Sequence, residues 1–84
     1  MNLDILRKKI DAIDRKIIRL LEQRLDLARN IGKIKRMSKI SIVDNDREEF
    51  IKKRINKLSP NNQSVKNIFE TILKESKSLQ KSTP

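Results

Sequence analysis

Residues 3–37 read LDILRKKIDAIDRKIIRLLEQRLDLARNIGKIKRM. The apolar positions Leu6, Ile10, Ile13, Ile17, Leu20, Leu27, Ile31 and Ile34 recur in alternating steps of four and three, and Arg24 stands in register with them. A strand alternates every second residue, whereas this spacing draws one stripe along a helix that packs side by side with others. Gly32 is the single glycine of the chain and no proline precedes Pro60, so little interrupts a helix over 3–37. At 1.5 Å per residue such a helix spans about 50 Å. A compact globule of this chain length has a radius of gyration of about 12 Å and a diameter of about 30 Å. One chain cannot cover its own first helix, and an exposed Ile/Leu stripe invites association. The length predicts an intertwined homodimer forming a helical bundle, in which the long helices are shared and each chain's shorter helices cover the partner.

Beyond this helix the period breaks. Residues 38–43, SKISIV, are rich in β-branched side chains and read as a connector with an extended leaning. Asp44, Asn45 and Asp46 then offer three N-caps, with Glu48 and Glu49 placed to complete a capping box. Phe50, Ile51, Ile55 and Leu58 carry a second helix over about 44–58. Residues 59–62, SPNN, end it and cap a third over about 63–80, whose apolar face is Val65, Ile68, Phe69, Ile72, Leu73 and Leu79, with a frayed tail from Lys81 to Pro84. The expected class is all-α, with three helices in one domain over 1–84 and no internal repeat.

Composition removes whole classes of chemistry. The chain has 84 residues without His, Cys, Tyr or Trp, so Cys/His zinc sites, thiol nucleophiles, Ser-His triads and tyrosine acids are excluded, and no metal site is expected. The length leaves no room for a second catalytic domain, so any activity is expected to be free-standing. Lys and Arg number 21 against 11 Asp and Glu, a formal charge of +10 that favours an anionic partner. Acids and bases interleave through residues 1–16 without an apolar run. Neither a secretory signal nor a membrane span is expected there, and a cytoplasmic setting follows.

Polar residues stand where the apolar pattern reserves space for carbon. Arg24 replaces a Leu or Ile, and Lys35, eleven residues on, returns within about 20° of the same azimuth, about 16 Å along the axis. Ser76 and Gln80 continue the line of Phe69 and Leu73, and Asp44, Arg47 and Glu48 cluster at the start of helix two. Each has an ordinary explanation. Arg24 could snorkel, Lys35 could complement the C-terminal dipole, and Arg47 could pair with a nearby acid. Asp44 and Glu48 could serve as caps, Ser76 could be a satisfied small residue, and Gln80 could sit in a fraying turn. Together these explanations weaken, because several inward polar groups left unpaired would cost about 1–3 kcal/mol each. A bound polar ligand would satisfy them. Arg7, seventeen residues before Arg24, lies about 25 Å away and some 100° around the helix, so it reaches such a site only from a second chain.

The string Leu6-Arg7-Lys8-Lys9-Ile10-Asp11-Ala12-Ile13-Asp14, then Leu20-Leu21-Glu22-Gln23-Arg24, Leu27-Ala28, Ile31-Gly32-Lys33-Ile34-Lys35 and Val43-Asp44-Asn45-Asp46-Arg47-Glu48 resembles the all-helical chorismate mutases. With Ser76 and Gln80 the likeness spans about Leu6 to Gln80. It implies interlocked three-helix dimers with two equivalent sites, acting in phenylalanine and tyrosine biosynthesis. It further implies that Arg24 and the partner chain's Arg7 clamp two substrate carboxylates, with Ser76 assisting at one. Lys35 and Gln80 would donate to the ether oxygen. Glu48 and the backbone at Asp44 would hold the ring hydroxyl, and Arg47 would line the pocket and order its neighbours.

That chemistry suits the composition. Conversion of chorismate to prephenate is a unimolecular [3,3] rearrangement that needs no nucleophile, proton transfer or cofactor, so none is expected. The task is to hold a folded dianion and stabilise charge developing on its breaking ether bond. Within the fold the nearest rival is an isochorismate-pyruvate lyase; Arg47, Glu48 and the full helix-one set favour the mutase. A basic nucleic-acid-binding module is a rival of a different class. Phe50 and Phe69 are the only aromatics and both fall at expected core positions, leaving no stacking platform. The stripe Lys8, Arg15, Arg19, Arg29, Lys33 and Arg36 is interrupted by Glu22 and Asp26, as on an ordinary solvated face, so neither nucleic acid nor membrane is the expected partner.

Overall fold

A computed structural model describes residues 2–82 as three helices, α1 (Leu3–Met37), α2 (Asn45–Leu58) and α3 (Gln63–Ser82), with no strand among the described residues. The fold class is all-α. Asn2 caps α1, its side chain accepting from the Asp4 amide at 2.9 Å. At the other end Lys39 turns left-handed, at φ 57°, and the Ile40 amide closes back on the Lys35 carbonyl at 2.7 Å. The β-branched residues beyond form a bent connector, since no neighbouring strand exists for them to pair with.

Of the three candidate caps, Asp44 starts α2, its Oδ1 accepting from the Arg47 amide at 3.0 Å. This choice puts Arg47, not a glutamate, at the third helical position. The expected capping box therefore does not form, and Glu48 turns towards α3 instead. Asn61, left-handed at φ 61°, and Asn62, which accepts from the Val65 amide at 3.1 Å, reverse the chain into α3. The helix runs two residues past its expected end. Lys81 and Ser82 continue it where a frayed tail was expected, and Thr83 and Pro84 lie outside the described residues.

α3 runs parallel to the second half of α1, because Arg24 meets Ser76 while Gly32 and Arg36 meet Gln80. α2 runs back along α3, its first turn against the end of that helix. The result is a rod of 56 × 28 × 14 Å with a radius of gyration of 16.0 Å, well above the compact value for this length. Its core is thin, with Ala28, Gly32, Ile51, Ile55 and Ser76 buried. Leu3, Ile5, Leu6, Ile10, Ile13, Ile17, Ile18 and Leu20 remain exposed along the first half of α1. Three expected apolar-face positions need correction: Phe50 is 52%, Leu58 76% and Ile68 59% exposed. A three-helix chain supplies neighbours to one face of α2 only, which covers Ile51 and Ile55. The Phe50 ring instead lies between two guanidinium groups, with Arg47 Cζ 5.0 Å and Arg54 Cζ 5.5 Å from its centroid.

Candidate active site

The second half of α1, the first turn of α2 and the end of α3 enclose an open cleft of about 270 Å³, near the lower end of small-ligand pockets. Arg24 and Lys35 line it from α1, Asp44, Arg47 and Glu48 from the start of α2, and Ser76 and Gln80 from α3. Every expected site residue except Arg7 is thus in one place. Arg7 sits on the exposed first half of α1, outside the cleft of its own chain.

Apolar side chains form most of the remaining wall. Leu27, Ala28 and Ile31 belong to the stripe that carries Arg24 and Lys35, and Ile51 and Leu73 close the other sides. The stripe continues through the cleft, so a cation standing in it projects into a partly dehydrated space where hydrogen bonds and charges act more strongly than in water.

Each polar group is held by identifiable contacts. Arg24 Nη1 donates to Ser76 Oγ at 2.6 Å, and Ser76 Oγ donates in turn to the Ile72 carbonyl at 2.7 Å. The buried serine hydroxyl has a single proton, committed to α3, so it presents a lone pair that fixes the guanidinium. Lys35 Nζ donates to the Ile42 carbonyl at 3.2 Å, which folds the connector over one end of the cleft. Arg47 is stacked on Phe50 and has no acidic partner among the described residues, and Asp44 spends one oxygen on its cap. Gln80 Oε1 is buried and has no hydrogen-bond partner among the described residues. An orphaned buried acceptor is costly and marks a place where a ligand or water completes the structure.

Charge in the cleft is lopsided. Four cations, Arg24, Lys35, Arg47 and Lys77, face two carboxylates, Asp44 and Glu48, a formal excess of two positive charges. Among the described residues no carboxylate pairs with Arg24. Burial first, and then the neighbouring Arg47 and Arg54 cations, lower its pKa from the ordinary arginine value. A guanidinium so placed is poised to gain from an incoming anion.

Three residues outside the expected set shape the site. Lys77 lines the cleft and pairs with Glu48 at 2.6 Å. Its signal was present, since position 77 follows Leu73 by four and precedes Gln80 by three on one helical face. Gly32 lets α3 approach: a Cβ there would lie 2.7 Å from Gln80 Cα and 2.8 Å from its carbonyl oxygen. Arg36 donates to that same Gln80 carbonyl.

The chain is similar to known proteins along most of its length. A family model described as chorismate mutase type II matches residues 6–81. A chorismate mutase of Methanocaldococcus jannaschii is 40% identical over 80 residues, 90% of this chain and 81% of that one. A bifunctional chorismate mutase/prephenate dehydratase of Aquifex aeolicus is 44% identical over 54 residues, 64% of this chain and 15% of that longer protein. A solved structure described as a conserved hypothetical protein from Pyrococcus furiosus matches with a TM-score of 0.80 at 44% identity, covering 93% of each chain. With its three helices, its cationic cleft and a family match that runs from the start of α1 to the end of α3, this chain belongs to the type II chorismate mutase family.

Proposed function

We propose that α1, α2 and α3 form one catalytic domain that isomerises chorismate to prephenate, working as a homodimer with two equivalent sites. The observation that carries this reading is the cleft, where side chains from three helices gather with an excess of two positive charges, opposite in sign to a dianion. In the reaction an ether C–O bond breaks while a C–C bond forms, and the electrons move within the substrate. The protein's work is to hold the folded conformer and to stabilise charge on the ether oxygen.

Arg24 grips one carboxylate through its planar fork, aimed by the Ser76 hydroxyl. Because that hydroxyl donates to Ile72, Ser76 serves the substrate through Arg24 more than by direct donation. Arg7 of the partner subunit takes the second carboxylate. Lys35 and the Gln80 amide donate to the ether oxygen, Glu48 and the backbone at Asp44 hold the ring hydroxyl, and Arg47 forms the cationic wall. The exposed stripe from Leu3 to Leu20 supports the dimer, because a rod 56 Å long offers no apolar surface of its own to cover it.

The test is an absorbance assay of chorismate loss with product identification, run beside isochorismate. Prephenate from chorismate is the expected result. Salicylate and pyruvate from isochorismate, with chorismate untouched, would assign the cleft to a lyase instead.

A further inference from the structure

Of the two carboxylates in the cleft, Glu48 is the one in an ion pair among the described residues, and its partner is a residue with no role in the reading above. Lys77 Nζ lies 2.6 Å from Glu48 Oε1, and the two side chains are only 35% and 26% exposed. Lys77 follows the buried Ser76 on α3 and shares a helical face with Leu73 and Gln80, whereas Glu48 stands in the first turn of α2. Their contact ties α2 to α3 at the wall of the cleft.

Coulomb attraction alone does not choose this pairing, because Arg24, Lys35 and Arg47 line the same space. A glutamate without an anchor would swing to one of them and neutralise a cation that the substrate needs. We infer that Lys77 is a positioning residue: it holds the Glu48 carboxylate against α3, away from Arg24, Lys35 and Arg47, with its remaining lone pairs turned to the substrate hydroxyl. This rests on the reading of the cleft as a chorismate mutase site. An ionised carboxylate has about four acceptor positions, so one ammonium contact leaves capacity for a hydroxyl. Lysine reaches the spot with its stem along the wall and its point charge at the oxygen, and arginine carries the same charge within the same reach.

Positioning and a general attractive field predict different couplings, so the experiment is a double-mutant cycle. Steady-state kinetics on chorismate are measured for the parent, Lys77→Met, Lys77→Arg, Glu48→Gln and the Lys77→Met/Glu48→Gln pair. Lys77→Met should lower kcat/KM on the order of 10-fold, mostly through KM, since the hydroxyl contact is made in ground and transition states alike. Lys77→Arg should stay within about 3-fold of the parent. In the Glu48→Gln background Lys77→Met should cost less than about 2-fold, because no carboxylate remains to be held. Calorimetric affinity for prephenate in the same proteins closes the cycle where turnover is too slow to measure. An equal loss in both backgrounds makes Lys77 a field charge and overturns the inference, as does a Lys77→Met protein with parental kinetics. A parent that neither turns over chorismate nor binds prephenate is a separate failure, which removes the mutase reading itself.

Discussion

Gly32 of α1 and Gln80 of α3 meet backbone to backbone, so closely that a Cβ on residue 32 would stand 2.7 Å from Gln80 Cα. Mid-helix glycine costs about 1 kcal/mol relative to alanine, and the chain accepts that cost once. What it gains is the seat of Gln80, whose carbonyl Arg36 also holds and whose side chain ends in the cleft.

Gly32→Ala should therefore be harmful despite its better helix propensity. The obstructing atoms are backbone and cannot step aside, so overpacking of about 1–3 kcal/mol outweighs the propensity gain. We expect a lower Tm, helical circular dichroism close to the parent's, and a kcat reduced about 10- to 100-fold as Gln80 is displaced. A more stable and fully active Gly32→Ala protein would show that α3 does not seat on α1 in this way.

On the proposed reading Lys35 contributes a donor whose value appears in the transition state. Its only protein partner among the described residues is the neutral Ile42 carbonyl, so the ammonium charge is available to a ligand. Lys35→Ala should lower kcat by about 10²-fold or more, the scale for one preorganised donor. Rates within a few-fold of the parent would remove Lys35 from the ether oxygen.

Gln80→Glu tests the amide proposed to donate to the ether oxygen. A neutral carboxyl can still donate a hydrogen bond to the ether oxygen, whereas a carboxylate would repel the charge developing there. Activity should survive mainly at acidic pH, towards the ordinary glutamate range of about 4 to 5. The check is a pH profile of kcat/KM beside the parent's, and a flat profile in the variant would place residue 80 away from the reacting oxygen.

Most of the site was legible in the sequence because azimuth on one helix is arithmetic. Arg24 and Lys35 face the same way whatever packs against α1, and the four-and-three spacing marked both Ser76 and Gln80. What local pattern does not carry is the registration of one helix against another. That Arg24 meets Ser76, or that Glu48 meets Lys77, depends on where two turns send the chain. Lys77 passed as one more lysine of a basic protein, although its spacing from Leu73 and Gln80 put it on the lining face. The exposed Phe50 shows the complementary limit. A helical period identifies an apolar face without saying whether this chain, a second copy or an arginine pair covers it.

A shared site makes a quantitative demand on mixed dimers. Arg7→Ala and Arg24→Ala proteins should each be nearly inactive. In a heterodimer one site receives both native arginines and the other neither. After random exchange half the dimers are mixed, so about one quarter of the parent's specific activity should return. Exchange demonstrated by mass spectrometry without recovered activity would place Arg7 outside the partner's site.

Arg24 stands in the apolar register of α1, and that position predicts a trade between stability and function. Its pKa is lowered in the fold, first by burial and then by Arg47 and Arg54, so the folded protein binds this proton less tightly than the unfolded chain does. For a cation that sign means the charge destabilises the empty site at every pH below the lowered value, a range that includes neutrality. A Leu removes the charge and restores the stripe of Leu20 and Leu27, while Ser76 keeps its bond to Ile72. Arg24→Leu should match or exceed the parent's Tm without ligand. It should also lose the Tm increase that saturating prephenate gives the parent, and kcat/KM should fall about 10³-fold or more as the bidentate carboxylate contact disappears. A strongly destabilised Arg24→Leu chain would mean that the guanidinium serves the fold and not the ligand.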